Sequence, residues 1–404
     1  MTIEKNIPFN LFPVAGIRLG TACAGIKKKD HRDILLLEIA EGSETAAVFT
    51  QNAFCAAPVT ISKKHLQQSQ PRYLLVNTGN ANAGTGEQGL SDALACCQEV
   101  ANVTHTDISK VLPFSTGVIG EYLPVAKFPA AIKMAYENLS AENWESAAHA
   151  ILTTDTVPKG HTRSINVHGN KITISGIAKG SGMIRPDMAT MLAYIATDAK
   201  IEKSILQNCL VEAVNHSFNR ITVDGDTSTN DCAVLIATGC SGVSLGAGES
   251  ELAEFQTALT AVCEELAKDM VRDGEGATKL ITISVNACQS EQEAINVAYT
   301  VAHSPLVKTA FFASDPNWGR ILAAVGRAGV ENLELDKVNI SLDNVAIVRN
   351  GEKASDYTEE RGQAVMDKSE IKITIDLARG NKQVQVWTCD FSYDYVRINA
   401  EYRS

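Results

Sequence analysis

The sequence predicts a mixed α/β protein of two domains, and three observations lead there. Short apolar, β-rich runs of strand length recur along the chain, beginning with 34–39, 46–50 and 73–76. Amphipathic helical patterns alternate with them, and the joints are rich in Gly, Asn and Asp. A chain of 404 residues is long enough to bury one large core or two ordinary ones, and two is the better match to domain size.

The runs Ile34–Ile39, Ala46–Thr50 and Tyr73–Val76 open a sheet. After Val76 come Asn77-Thr78-Gly79-Asn80-Ala81-Asn82-Ala83-Gly84-Thr85-Gly86 and a helical pattern from about Glu87 to Val103. Strand, glycine loop and helix in that order would suit a phosphate, because a helix N-terminus offers free N–H groups. The spacing nevertheless lacks the Lys and Ser/Thr that a P-loop needs, which excludes nucleotide hydrolysis on this pattern. The bland reading is a tight loop whose asparagines satisfy one another and the backbone.

Val111–Gly120 is a strand running into the flexible turn Ser115-Thr116-Gly117. Acyl transfer passes through a tetrahedral oxyanion, and each donor placed on it lowers the barrier by roughly 3 kcal/mol. A threonine hydroxyl beside a glycine N–H can form such a pair; an ordinary strand end is the alternative. Helical patterns follow at Ala126–Glu137 and Trp144–Leu152, the second ending at Thr153-Thr154-Asp155, where helix capping is one use for Thr153. Arg163–Val167 and Lys171–Ser175 flank His168-Gly169-Asn170, a hairpin signal. That hairpin leads to a small-residue loop closed by Pro186, with Thr190 at the mouth of the apolar strand Met191–Ala196.

Ser204–Phe218 is an amphipathic helix pattern. The alternating oxygens of Asp224, Asp226, Ser228 and Asn230 invite a calcium reading, but the sixth place is Thr229 and the twelfth Leu235. The required glycine and bidentate carboxylate are missing, so no metal is expected, and the segment reads as a hydrogen-bonded loop supporting the strand after Thr190. Glu251–Arg272 is the longest helical pattern and stops at Asp273-Gly274-Glu275-Gly276. Glu275 between two glycines has no packing reason to be there, and its carboxylate could hold a substrate ammonium. Beyond the strand Leu280–Val285 lies a second α/β unit, with helices near 289–303 and 317–328 and strands near 308–313, 337–342 and 371–377. Within it, Asp315 reads as part of a helix N-cap and Trp318 as an interface anchor.

Bulk properties narrow the partners. A net charge of −11 and a pI near 5.3 argue against nucleic acid and anionic membrane, which need a basic face, and favour small substrates. The ten cysteines form no C-x-x-C and sit mostly in apolar runs, as reduced core residues of a cytoplasmic protein do. The first residues show no basic end followed by an apolar segment, and no apolar run approaches membrane-spanning length.

A threonine hydroxyl is a poor nucleophile unless a base lies close by, and an N-terminal α-amine, titrating near ~8, can be that base. An internal threonine gains the amine only if the bond before it is cut. The run Lys179-Gly180-Ser181-Gly182-Met183-Ile184-Arg185-Pro186-Asp187-Met188-Ala189-Thr190-Met191-Leu192 resembles the self-cleavage segment of the ornithine acetyltransferase family, the glutamate N-acetyltransferases of arginine biosynthesis. Similar blocks extend from near residue 16 to the end of the chain.

The resemblance implies a layered α/β/β/α sandwich of the N-terminal-nucleophile-like type in residues 1–280, and a smaller α/β domain in 281–404. It implies cleavage between Ala189 and Thr190 into chains 1–189 and 190–404, assembled as α2β2. It further implies Thr190 as nucleophile and substrate contact, and Thr116 and Gly117 as the oxyanion hole. Substrate binding falls to Thr153, Lys179, Glu275, Asn399 and Ser404. The implied reaction moves an acetyl group from N2-acetylornithine to glutamate by ping-pong, without a cofactor. Some family members also accept acetyl-CoA, and no residue of this sequence decides that. Two alternatives compete: a self-cleaved aminopeptidase or amidase of related fold, and a non-enzymatic amino-acid-binding protein in which Thr190 is merely a strand residue.

Overall fold

The computed structural model describes residues 9, 11–27, 30–185 and 191–401. Its strands are, in chain order, β1 (Ile17–Ala22), β2 (Ile34–Ile39), β3 (Glu44–Phe49), β4 (Tyr73–Asn80), β5 (Val111–Val118), β6 (Lys159–Val167), β7 (Asn170–Lys179) and β8 (Leu192–Thr197). They continue with β9 (Ile221–Thr222), β10 (Cys232–Ala237), β11 (Leu280–Cys288), β12 (Asn339–Leu342), β13 (Val345–Arg349), β14 (Glu352–Lys353), β15 (Glu370–Asp376) and β16 (Lys382–Cys389). The chain divides into two compact units. The larger comprises Ile7–Asn219 and Asp226–Met270; the smaller takes Arg220–Gly225 and the chain from Val271 onward.

The larger unit is built on two sheets, one in the order β1-β2-β4-β5 and one in the order β3-β10-β8-β7-β6. Side chains from both meet in one apolar core, with Leu35, Leu37, Val76 and Phe114 from the first and Tyr194 and Val234 from the second. Phe114 and Tyr194 make an edge-on ring contact at 5.4 Å, a geometry that aromatic quadrupoles favour. The outer face of the first sheet buries Ile34, Leu36 and Leu75 against the helices Gly86–Thr104 and Phe128–Glu137. On the second sheet, Gly176 leaves room for Val262 and Leu266 of the helix Ser250–Arg272 to approach β7. The layers therefore run α/β/β/α.

The alternation that makes this possible is plain in β2, where Leu35 and Leu37 face one core and Ile34 and Leu36 the other. Strand β5 lies at a sheet edge and contains Pro113, which an edge tolerates. Its outward carbonyls are satisfied by side chains of the helix Ala57–Gln68: Ser62 Oγ donates to Pro113 O at 2.7 Å, and His65 Nδ1 lies 2.7 Å from Val111 O. At the β6–β7 hairpin His168 and Gly169 have φ of 51° and 83°, the left-handed pair that a tight hairpin turn demands.

The smaller unit has one seven-stranded sheet in the order β14-β13-β12-β15-β11-β16-β9. The helices Glu291–Ala302, Pro305–Phe312, Trp318–Gly326 and Glu359–Met366 contribute to its core. Here one expectation fails. Residues 308–313 are not a strand: Ser304 caps a helix by accepting from Val307 N, and Pro305 occupies its first turn, a start signal that outweighs β-rich composition. Trp318 packs, half-buried, on the core of its own unit. The cap of its helix is Asn317, with Asp315 accepting from the Asn317 amide at 3.0 Å. Seven of the ten cysteines are buried, whereas Cys23 and Cys240 are exposed.

Candidate active site

Thr116 and Gly117 stand near the end of β5, in parallel register with Thr78 and Gly79 of β4. Gly117 has φ of 138°, and a Cβ there would lie 2.3 Å from the Gly79 carbonyl carbon and 2.5 Å from Asn80 N. Only glycine lets the two backbones approach so closely.

The asparagines of that loop are consumed in holding it. Asn77 accepts from Ser115 Oγ at 2.6 Å and donates to Asn80 O at 2.9 Å, while Asn82 donates to Gly89 O at 2.9 Å. The tight-loop reading is thus correct, and the loop lies against the Thr116–Gly117 turn as well. Asn230, from the loop weighed for calcium and read as hydrogen-bonded support, donates to Ala81 O at 2.6 Å and Ser115 O at 2.9 Å. It ties this loop and β5 to the start of β10.

Lys179, the last residue of β7, reaches the same turn. Its Nζ donates to Thr153 Oγ1 at 2.7 Å and to Thr116 Oγ1 at 3.4 Å. Thr153 therefore does more than follow a helix. Behind them sits Asp155, whose side chain is wholly buried, as is that of Lys159. Asp155 accepts from Lys159 Nζ at 2.7 Å, Gly180 N at 2.7 Å and Thr153 N at 3.2 Å, and lies 3.8 Å from Lys179 Nζ. Burial alone would raise its pKa; the two ammonium groups and the Gly180 N–H overcome this and hold it well below the usual carboxylate range.

Asp231 has the opposite character. It precedes β10, which pairs in parallel with β8 so that Cys232 faces Leu192. Its carboxyl is buried, accepting from Met191 N–H and Ser228, and among the described residues its Oδ2 has no partner. Burial pushes its pKa well above the usual range, against the pull of those donors and of Lys179. Such a group stabilises the fold fully below its unfolded value of about 3.9 and loses that contribution as pH rises through the folded one. Asp231→Asn keeps the shape and removes the ionisation. The difference in melting temperature, variant minus wild type, should therefore be more favourable at pH 7 than at pH 4; a difference that does not change with pH would refute this account.

In the smaller unit Glu275 is buried at the turn after the long helix, and Asn399 Nδ2 donates to its Oε2 at 2.8 Å. Gly276 has φ of 70°, and a Cβ on it would meet Tyr395 N at 2.4 Å, so the turn is locked to the helix Tyr393–Ala400. The structure thus groups Thr116, Gly117, Thr153 and Lys179 in one unit and pairs Glu275 with Asn399 in the other. Ala189, Thr190 and Ser404 lie outside the described residues. Asp155, Lys159, Asn230 and Asp231 were missed. Asp155 was in view in Thr153-Thr154-Asp155, and Asn230 and Asp231 lay in the run weighed for calcium.

A layered α/β sandwich in which a lysine ammonium bonds two threonine hydroxyls beside a glycine turn has hydrogen-bond donors and a positive charge grouped as an enzyme acting on an anionic group needs them. The chain belongs to the ArgJ family, whose model matches residues 18–404. It is 59% identical over 403 residues to the arginine biosynthesis bifunctional protein ArgJ of Methylococcus capsulatus, covering 99% of this chain and 98% of that one. With its Pseudomonas fluorescens counterpart it shares 55% over 396 residues, covering 98% of each. Among solved structures, the Bacillus halodurans ArgJ protein matches at 42% identity with a TM-score of 0.49, covering 51% of this chain and 97% of that one. The Mycobacterium tuberculosis ornithine acetyltransferase complexed with ornithine matches at 36% and 0.41, covering 43% and 93%.

Proposed function

We propose that this protein is a self-processed acetyltransferase of arginine biosynthesis, moving the acetyl group of N2-acetylornithine to glutamate through an acetyl-Thr190 intermediate. The observation that carries the reading is Lys179 bonded to both Thr116 and Thr153, in a chain that matches ArgJ relatives along its whole length.

In this mechanism Thr190 Oγ1 attacks the Ala189 carbonyl, the acyl group shifts from nitrogen to oxygen, and water hydrolyses the ester. The freed α-amine then serves as base for the same hydroxyl. Thr190 attacks the acetyl carbonyl of the donor while the Thr116 hydroxyl and the Gly117 N–H hold the oxyanion. Ornithine leaves with the proton, glutamate enters, and its α-amine takes the acetyl group. Both substrates share an α-amino-acid head, which an ammonium at Lys179 and a carboxylate at Glu275 can hold alike, with Thr153, Asn399 and Ser404 completing the set.

The designation of the relatives as bifunctional supports acetyl-CoA as a second donor. An α2β2 assembly of the cleaved chains is in keeping with the exposed Leu306, Tyr393 and Val396 of the smaller unit. No described helix is long and apolar enough to cross a membrane.

Enzyme mixed with labelled N2-acetylornithine should retain one acetyl group per site on the Thr190 peptide, stable in water and discharged by glutamate. Discharge by water at the same rate would favour the aminopeptidase or amidase reading. No label at all would remove the covalent mechanism.

A further inference from the structure

Lysine is a hydrogen-bond donor only. A threonine hydroxyl bonded to a lysine ammonium must therefore act as acceptor in that bond, which leaves its own proton for another acceptor. Lys179 does this to two hydroxyls at once, those of Thr116 and Thr153. Both become donors whose oxygens are polarised by a neighbouring positive charge. An anion forming beside them would meet two oriented O–H groups rather than freely rotating ones.

What keeps Lys179 in that position is the carboxylate behind it. Asp155 lies 3.8 Å from Lys179 Nζ and accepts from the backbone N–H groups of Thr153, the partner in the Lys179–Thr153 bond, and of Gly180, the residue after Lys179. It is itself held by Lys159, whose Nζ also donates to Val157 O at 3.2 Å. Two ammonium groups and one carboxylate leave a single net positive charge. Lys159 balances Asp155, so the charge on Lys179 is not cancelled from behind. A buried pair of this kind costs desolvation, and a purely structural role would be served as well by apolar residues.

We propose that Asp155 is a positioning residue for the acyl-transfer step: by fixing Lys179 it sets the Thr116 and Thr153 hydroxyls as donors, with Lys159 keeping the assembly positive. The proposal rests on the acetyl-threonine reading above and assigns to it a part that the substrate contacts do not supply.

The test compares wild type with Asp155→Asn and Lys159→Met, counting active sites by the acetyl label before turnover is measured. Per labelled site, Asp155→Asn should lower kcat by roughly tenfold or more, a fraction of what losing a whole oxyanion donor costs, with the acetylornithine KM changed less than about threefold. Self-cleavage, which passes through a like oxyanion, should slow in parallel. A merely structural Asp155 would reduce the number of labelled sites and leave kcat per site within about twofold of wild type; that result overturns the proposal.

Should Asp155→Asn not fold, Lys159→Met decides. It leaves Asp155 to cancel the Lys179 charge that polarises the two hydroxyls, so kcat per site should fall roughly tenfold and the acetylornithine KM should rise as well; a kcat per site within about twofold of wild type overturns the proposal. Wild type that takes no label on Thr190 would instead sink the acetyl-threonine reading itself, so the two failures are told apart.

Discussion

Thr190→Ala is expected to migrate on a denaturing gel as one polypeptide of 43.3 kDa and to lose acetyl transfer by at least about a thousandfold, the scale seen when a nucleophile is removed. Wild type should instead show two bands, corresponding to residues 1–189 and 190–404. The two effects share one cause. In the proposed mechanism the hydroxyl breaks its own preceding peptide bond, and the amine so released activates the hydroxyl. Edman sequencing of the second wild-type band should read Thr-Met-Leu-Ala-Tyr. Fully active enzyme consisting only of uncut chain would refute the mechanism.

Gly117→Ala should be nearly as damaging. The new Cβ would sit 2.3 Å from the Gly79 carbonyl carbon and 2.7 Å from Gly79 Cα, backbone atoms that cannot swing aside, at a φ of 138°. Separating β4 from β5 should cost about 1–3 kcal/mol of stability and displace the Gly117 N–H. On the proposed mechanism kcat then falls by about 10²–10³. Gly120→Ala is the control. Its φ of 83° is also left-handed, but a Cβ there meets nothing within 4 Å, so it should lose about 1 kcal/mol and keep its kcat. Equal loss of kcat in both variants would show that backbone strain alone, and not the approach to Gly79, explains the effect.

The regular parts of the fold were legible where local chemistry settles the answer. Strand β2 is Ile34–Ile39 as its apolar run suggested, and the long helix predicted over 251–272 is Ser250–Arg272. Strand β4 was read as ending at Val76 but continues to Asn80. Its last residues are polar and glycine-rich, and they remain a strand because β5 supplies their hydrogen bonds. The reverse error at 308–313 arose because Phe311 and its neighbours suit a buried helix as well as a strand; Ser304-Pro305 was the deciding signal.

The candidate site divides in the same way. Thr116, Gly117, Thr153 and Lys179 came from resemblance in short blocks of sequence, and the coordinates add how three of them are bonded. Asp155 and Lys159 look like an ordinary surface pair four residues apart, and nothing local reveals that both side chains are fully buried. Asp231 sits in a run of oxygens that resembles a solvated loop, and only its burial beside Met191 pushes its pKa above the usual carboxylate range.

From the amino-acid order alone came the α/β class, which depends on residue type and close spacing along the chain, and the resemblance on which the proposed nucleophile and cleavage point rest. Tertiary structure alone decided the opposite pKa shifts of Asp155 and Asp231, the acceptor role of the threonine hydroxyls toward Lys179 and the necessity of glycine at 117. Those depend on dielectric, on distance and on free volume, and such quantities come into being only when segments far apart in sequence are packed against each other.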